Sequence, residues 1–137
     1  MARVTKKTAT AKVEKVEKVK PVKPTPTEAQ AISRTVGVTP RKARLVADLV
    51  RGKKVSDALG ILHNVNKAAS LPVRKTIQSA AANAVNNFGF DEETLYISEI
   101  QINDSIKMKR FMPRAKGSAA GIIKRTSTII VKVKERK

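Results

Sequence analysis

The architecture hangs on residues 95–134, LYISEIQINDSIKMKRFMPRAKGSAAGIIKRTSTIIVKVK. In the first part the even positions Tyr96, Ile100, Ile102, Ile106 and Met108 are apolar. The odd positions Glu99, Gln101, Asn103, Ser105, Lys107 and Lys109 are polar. In the last part Ile129, Val131 and Val133 fall on one side. A period of two marks a strand with one buried face. The two runs are joined by PRAKGSAAG and so predict an antiparallel hairpin over about residues 95–134. Matching the apolar faces predicts Ile102 opposite Val131 and Ile100 opposite Val133.

Length sets the next expectation. The stretch from Leu95 to Met112, at roughly 3.3 Å per residue, can span about 60 Å. The rest of the domain has an expected diameter of only about 30 Å. The outer half of the hairpin must therefore project. Its centre, KMKRFMPRAKGSAAGIIKRT at residues 107–126, holds seven Lys or Arg and no acid. The acid-free run extends from Ser105 to Lys134. A lone two-stranded arm is marginal in water. Ordering by a polyanion explains both the charge and the slim tip of small residues.

Working back from the hairpin, Ser70 to Phe88 carries Val73, Ile77, Ala80, Ala81, Ala84, Val85 and Phe88 at helical spacing, with Gly89 as a C-terminal cap. Residues 55–64, VSDALGILHN, predict a short helix capped by Ser56, with Ala58, Leu59 and Leu62 inward. Thr39 and Pro40 open another helix and Gly52 closes it, with an apolar face of Leu45, Val46, Leu49 and Val50. Arg41, Lys42 and Arg44 crowd its first turns, where cations oppose the helix dipole; a bound phosphate would compensate them, and plain solvation of the three side chains is the equal alternative from this feature alone. Residues 30–38, QAISRTVGV, predict a strand with Ile32, Val36 and Val38 on one side. The expected class is α+β: three helices packed on a small antiparallel sheet, with one long protruding β-hairpin. Residues 1–28, rich in Lys and Pro, are expected to be a disordered basic tail, and residues 29–137 one domain.

Whole-chain composition limits the function. With 29 Lys+Arg against 11 Asp+Glu, the 137 residues carry a formal charge of +18, which points to nucleic acid before acidic membrane. Aromatic residues are only 3%, so phosphate contacts and shape must outweigh base stacking. The absence of Cys excludes disulfides and thiolate metal sites. His63, the single His, has no ligand partners in sequence, and Asp91, Glu92 and Glu93 suit a cap better than catalysis. No metal, cofactor or enzymatic activity is expected. No membrane span or secretory signal is visible, so a cytoplasmic location is the default expectation. A DNA-architectural protein with a wedging basic β-arm at FMPR is the competing class. Such proteins clamp duplexes as dimers, and no dimer seam is apparent, so a homo-oligomer is not expected.

Three stretches carry a family resemblance: TPRKARLVADLVRGKKVSDAL, SAAANAVNN and, above all, MKRFMPRAKGSAAGIIKRTSTIIVKV. Together they resemble the bacterial form of the large ribosomal subunit protein twenty-two family, from about Ala31 to Val133. The resemblance implies binding to large-subunit (23S) rRNA, a contribution to subunit assembly, and a hairpin that lines the polypeptide exit tunnel near the macrolide site. Partners so implied are that rRNA, neighbouring ribosomal proteins at the tunnel and the nascent polypeptide. Carried onto this chain, the RNA-binding residues would be Arg41, Lys42, Arg44, Lys107, Lys109, Arg110, Arg114, Lys116, Lys124, Arg125, Thr126 and Ser127. The tunnel-lining tip would be Met112, Pro113, Arg114, Ala115, Lys116, Gly117 and Ser118. Many members of the family have Arg in place of Ser118 and His in place of Thr128.

Overall fold

The computed structural model describes residues 27–136; the expected tail lies almost wholly outside them. Three strands, β1 (Ala29–Val36), β2 (Leu95–Pro113) and β3 (Ala119–Glu135), form one antiparallel sheet in the order β1-β3-β2. Three helices, α1 (Pro40–Ala47), α2 (Val55–Asn64) and α3 (Ser70–Phe88), pack against it. The expected α+β class is what forms.

The core is small-residue rich. From the sheet, Ala29, Ala31, Leu95, Ile97, Ile100, Ile102, Ile129, Val131 and Val133 are buried. They meet Val46, Val50, Leu62, Val73, Ile77, Ala80 and Ala84 from the helical side. The alanines of α3 let its backbone approach the sheet closely, so the expected stripe is the core face. Its C-terminal members Val85 and Phe88 are partly exposed. Gly89 ends the helix at φ 68°, the left-handed conformation a side chain resists.

Several local expectations need correction. In β1 the buried residues are Ala29 and Ala31, while Ile32 is 48% exposed. Alternation at the start of the strand therefore runs opposite to the large-residue reading, and a left-handed Thr35 (φ 55°) with a register shift between Ser33 and Val36 breaks it further. α1 ends at Ala47, short of the expected Gly52; Val46 in the helix and Val50 in the turn after it are buried as expected, joined by Ala43 and Ala47, but Leu45 is 68% exposed and Leu49 is also exposed. Both leucines line an open groove of about 510 Å³ shared with Val65 and Ala68. Ser56 does not cap α2; Lys54 holds that position. Lys54 is extended because it bridges Tyr96, and the Ile97 N–H donates to the Lys53 carbonyl (3.0 Å). The helix can begin only after that short pairing. Ala58 and Leu62 are buried as expected, with Leu59 half-buried against the core.

The hairpin register also differs from expectation. Ile100 pairs with Val131 and Ile102 with Ile129, one period away from the predicted partners. A bulge between Ile97 and Glu99 then moves the pairing by one further residue: Ile97 pairs with Val133 and Glu99 with Lys132, leaving Ser98 as the extra residue. The Ser98 hydroxyl donates to the Lys132 carbonyl (3.2 Å) and fastens the bulge. The bulge switches the buried phase, so odd Leu95 and Ile97 and even Ile100 and Ile102 all face the core.

Candidate nucleic-acid interface

The outer arm begins at a second bulge. Asp104 pairs with Ser127, then Lys107 with Arg125, so β2 spends one residue more than β3. The Thr126 hydroxyl donates to the Ile106 carbonyl (2.7 Å) across this irregularity. Beyond it the register is unbroken from Lys107–Arg125 to Pro113–Ala119. Residues 109–119 are exposed throughout.

Side-chain alternation then places the charges. One face carries Lys107, Arg125 and Lys109, followed outward by Phe111 opposite Gly121. The other carries Lys124 beside Met108, then Arg110 opposite Ile122, then Met112 opposite Ala120. Cations thus occupy both faces at the root, and apolar and small residues take over toward the tip. Lys107 lies 3.8 Å from the Asp104 carboxylate. Among the described residues, Lys109, Arg110, Arg114, Lys116, Lys124 and Arg125 have no carboxylate partner. A surface with this much unneutralised charge binds polyanions chiefly through their backbone.

The tip is tighter than the sequence suggests. The strands continue through Pro113 and from Ala119, so the connection is Arg114–Ser118 and not the nine-residue loop expected. The Arg114 N–H donates to the Ser118 carbonyl (2.9 Å), and the Ser118 hydroxyl donates to the Ala115 carbonyl (2.9 Å). Lys116 (φ 57°) and Gly117 (φ 69°) turn the chain through two consecutive left-handed conformations. Met112 and Pro113 are strand residues, while Arg114 and Lys116 are exposed on the turn itself.

Not every expected contact residue is available. Ser127 is fully buried and Thr126 is 3% exposed, with its hydroxyl already committed to Ile106. The two belong to the root of the arm, where β3 still crosses the core, so neither hydroxyl is presented to a ligand. Arg41 and Lys42 are exposed on the first turn of α1, which has no acidic residue. Arg44 is divided. Its Nε and Nη2 both donate to the Ile102 carbonyl (3.2 Å each), and its guanidinium lies 3.7 Å from Asp104. Arg51 similarly donates to the Ile100 carbonyl (3.4 Å). These two arginines close the free edge of β2, a role that sequence alone did not reveal.

Among the described residues, ion pairs lie on the body and at the root of the arm. Glu99 pairs with Lys132 across the sheet. The hydrogen bond from Lys132, reinforced by Gln101, holds the Glu99 carboxyl below its ordinary range, and the same bond raises the Lys132 ammonium. Lys134 is raised likewise by its bond to Glu28. His63 accepts at Nδ1 from the Arg74 guanidinium (3.0 Å), an exposed surface contact. Asp91 accepts from the Glu93 N–H (3.3 Å) and caps a single 3₁₀ turn at Glu92–Thr94. Among the described residues no cluster of potential metal ligands occurs, and no helix is long and apolar enough to cross a membrane.

Known proteins match this sequence over most of its length. Two curated relatives, each named large ribosomal subunit protein uL22, come from two strains of Lactobacillus delbrueckii subsp. bulgaricus. Each is 53% identical over 107 residues, covering 78% of this chain and 92% of the relative. The model of the family described as ribosomal protein L22p/L17e matches residues 31–134, which take in α1, α2, α3 and the entire arm. The chain belongs to the L22p/L17e family of ribosomal proteins.

Proposed function

We propose that the protein is a structural constituent of the large ribosomal subunit, in the cytoplasm, and that its arm holds segments of large-subunit rRNA together. One observation carries this reading: an exposed, acid-free β-arm with cations on both faces at its root. A rod charged on both sides can neutralise phosphates from RNA segments lying on either side of it. Recognition then rests on RNA shape and backbone position, not on base sequence. Arg41 and Lys42 add a second contact on the body. Residues 1–28 stand outside this RNA-binding domain of residues 29–137.

The turn Arg114–Ser118, with Met112 and Pro113 behind it, forms part of the wall of the polypeptide exit tunnel near the macrolide site. The small side chains of Ala115, Gly117 and Ser118 offer a nascent chain little to hold. Neighbouring ribosomal proteins contact the body, and binding of the arm assists subunit assembly. Nothing in this scheme calls for catalysis.

The test is sedimentation of the protein from cell lysate through a sucrose gradient in roughly 0.5 M salt, where binding that rests on few phosphates is largely lost. Co-migration with large ribosomal subunits is the expected result. Retention at the top of the gradient would overturn the proposal. For the tip, deletion of Met108–Arg110 is expected to alter macrolide sensitivity in ribosomes that contain the shortened protein. Unaltered sensitivity would remove the tip from the drug site.

A further inference from the structure

Building on the reading of the arm as an RNA-binding element, we propose that the Phe111–Gly121 pair is a seat for one unpaired nucleobase, stacked on the Phe111 ring. Phe111 is 80% exposed, the most exposed of the large hydrophobic residues among the described residues. It is also the only aromatic side chain on the arm. An aromatic ring left in water at the end of a charged rod needs a partner that covers it.

Gly121, directly opposite, supplies the space. Its backbone is not left-handed, so no turn requires glycine there. Glycine inside a strand weakens the strand, and it marks places where another group approaches the backbone closely. A Cβ built at Gly121 would meet nothing within 4 Å, so the Phe111 ring does not fill the gap. The next residues of β3 on that face, Ala119 and Ile123, lie about 13 Å apart at roughly 3.3 Å per residue. The result is a shallow notch with an aromatic wall and a peptide floor.

Charge selects the occupant. The same face carries Lys109 immediately inward, then Lys107 and Arg125, and no acid occurs from Ser105 to Lys134. A planar ring that comes with its own phosphates satisfies the wall and the cations together. An apolar protein side chain satisfies only the wall. The overall scarcity of aromatics makes this one stacking site a local addition to an arm that otherwise binds by charge.

The test uses the full chain, which has no Trp, so that Phe111→Trp introduces a single indole that can be excited apart from the one tyrosine, Tyr96. The variant is titrated with large-subunit rRNA and separately with inorganic polyphosphate, a polyanion without bases. Quenching by rRNA but not by bound polyphosphate is expected. Binding is also followed by filter retention across a range of salt. Phe111→Leu and Gly121→Val should each weaken rRNA binding by about five- to a hundredfold, the scale of one base–aromatic stack, with the salt slope unchanged. Lys109→Ala should instead reduce that slope by about one. If rRNA binds with a steep salt dependence yet leaves the Trp emission unquenched, the nucleobase seat is wrong and the RNA reading stands. If Phe111→Leu binds as tightly as the parent, the ring serves only as apolar surface and the seat is likewise wrong. If the parent protein shows no salt-dependent binding to rRNA, the RNA reading fails and takes the seat with it.

Discussion

β2 and β3 are each one continuous strand, yet their inner and outer halves are different materials. The inner half buries Leu95, Ile97, Ile100, Ile102, Ile129, Val131 and Val133. The outer half, from Lys107–Arg125 to Pro113–Ala119, buries nothing. Backbone pairing is the same in kind along both. The difference is that the inner half owes its order to helices stacked on one face, whereas the outer half has no covering layer of its own. Cross-strand pairing alone is marginally stable, so the inner half carries the fold and the outer half adds no packing of its own. The boundary lies at the Asp104–Lys107 irregularity, where Thr126 and Ser127 are the last side chains enclosed by the body.

The sharpest separation should come from matched truncations on one strand. Ile129→Ala, in the core, is expected to lower stability by about 2–5 kcal/mol. Ile123→Ala, six residues away on the arm, should change it by no more than about 0.5 kcal/mol. Urea denaturation of both variants checks this, and a comparable loss from Ile123→Ala would mean that the arm has a core of its own. Next in size is Thr126→Val, which removes the hydroxyl that holds Ile106. A loss of about 1 kcal/mol is expected. Amide exchange should quicken at Lys107–Arg125 while the Ile100–Val131 pair keeps its protection. Equal quickening at both pairs would show that the boundary is not where the two halves part.

Ser127 makes the opposite case beside it. Its hydroxyl is buried without a hydrogen-bond partner among the described residues. Ser127→Ala is therefore expected to be neutral or slightly stabilising, by up to about 1 kcal/mol, in the same urea assay. A clear loss would reveal a partner for that hydroxyl. The smallest effect belongs to the half-buried Glu99–Lys132 pair. The lowered Glu99 carboxyl contributes stability present above its unfolded-state value and lost as pH falls through the depressed one. The raised Lys132 contributes stability present below the ordinary lysine range and lost as pH rises through its raised value. Glu99→Gln should flatten the acid limb of the stability profile and leave the neutral fold intact. Identical acid limbs would show that the pair is solvated.

Elements whose pattern is long and uninterrupted were legible in the sequence. α3 carries its stripe over most of its length and ends at the expected Gly89, and the hairpin and its acid-free run stand out at once. Register was not legible, because alternation gives phase but not insertions. Ser98 is an ordinary polar residue in a strand, and only pairing reveals that it has no partner. A hint existed in Leu95 and Ile97, apolar at odd positions before the even run of Ile100 and Ile102. β1 misled because its core contacts are alanines, while the larger Ile32 faces outward. The arm's cations were legible as a charge run, but Thr126 and Ser127 were not separable from them until the second bulge placed both inside the body. The sealing of the β2 edge by Arg44 and Arg51 depends on how α1 lies along that strand, and no local pattern encodes it.

The strand order β1-β3-β2 has a consequence for biosynthesis. The central strand is the last of the three to be made. As the chain emerges, β1 and β2 have no strand to pair with, because among the three strands each pairs only with β3. The helices can form from local contacts in the meantime, but the sheet must await β3, and its pairing with β1 spans nearly the whole described chain. Contacts so distant in sequence slow folding. Until that moment two unpaired strands and a dense block of positive charge are exposed together. A polyanion present early would meet an arm that has not yet closed.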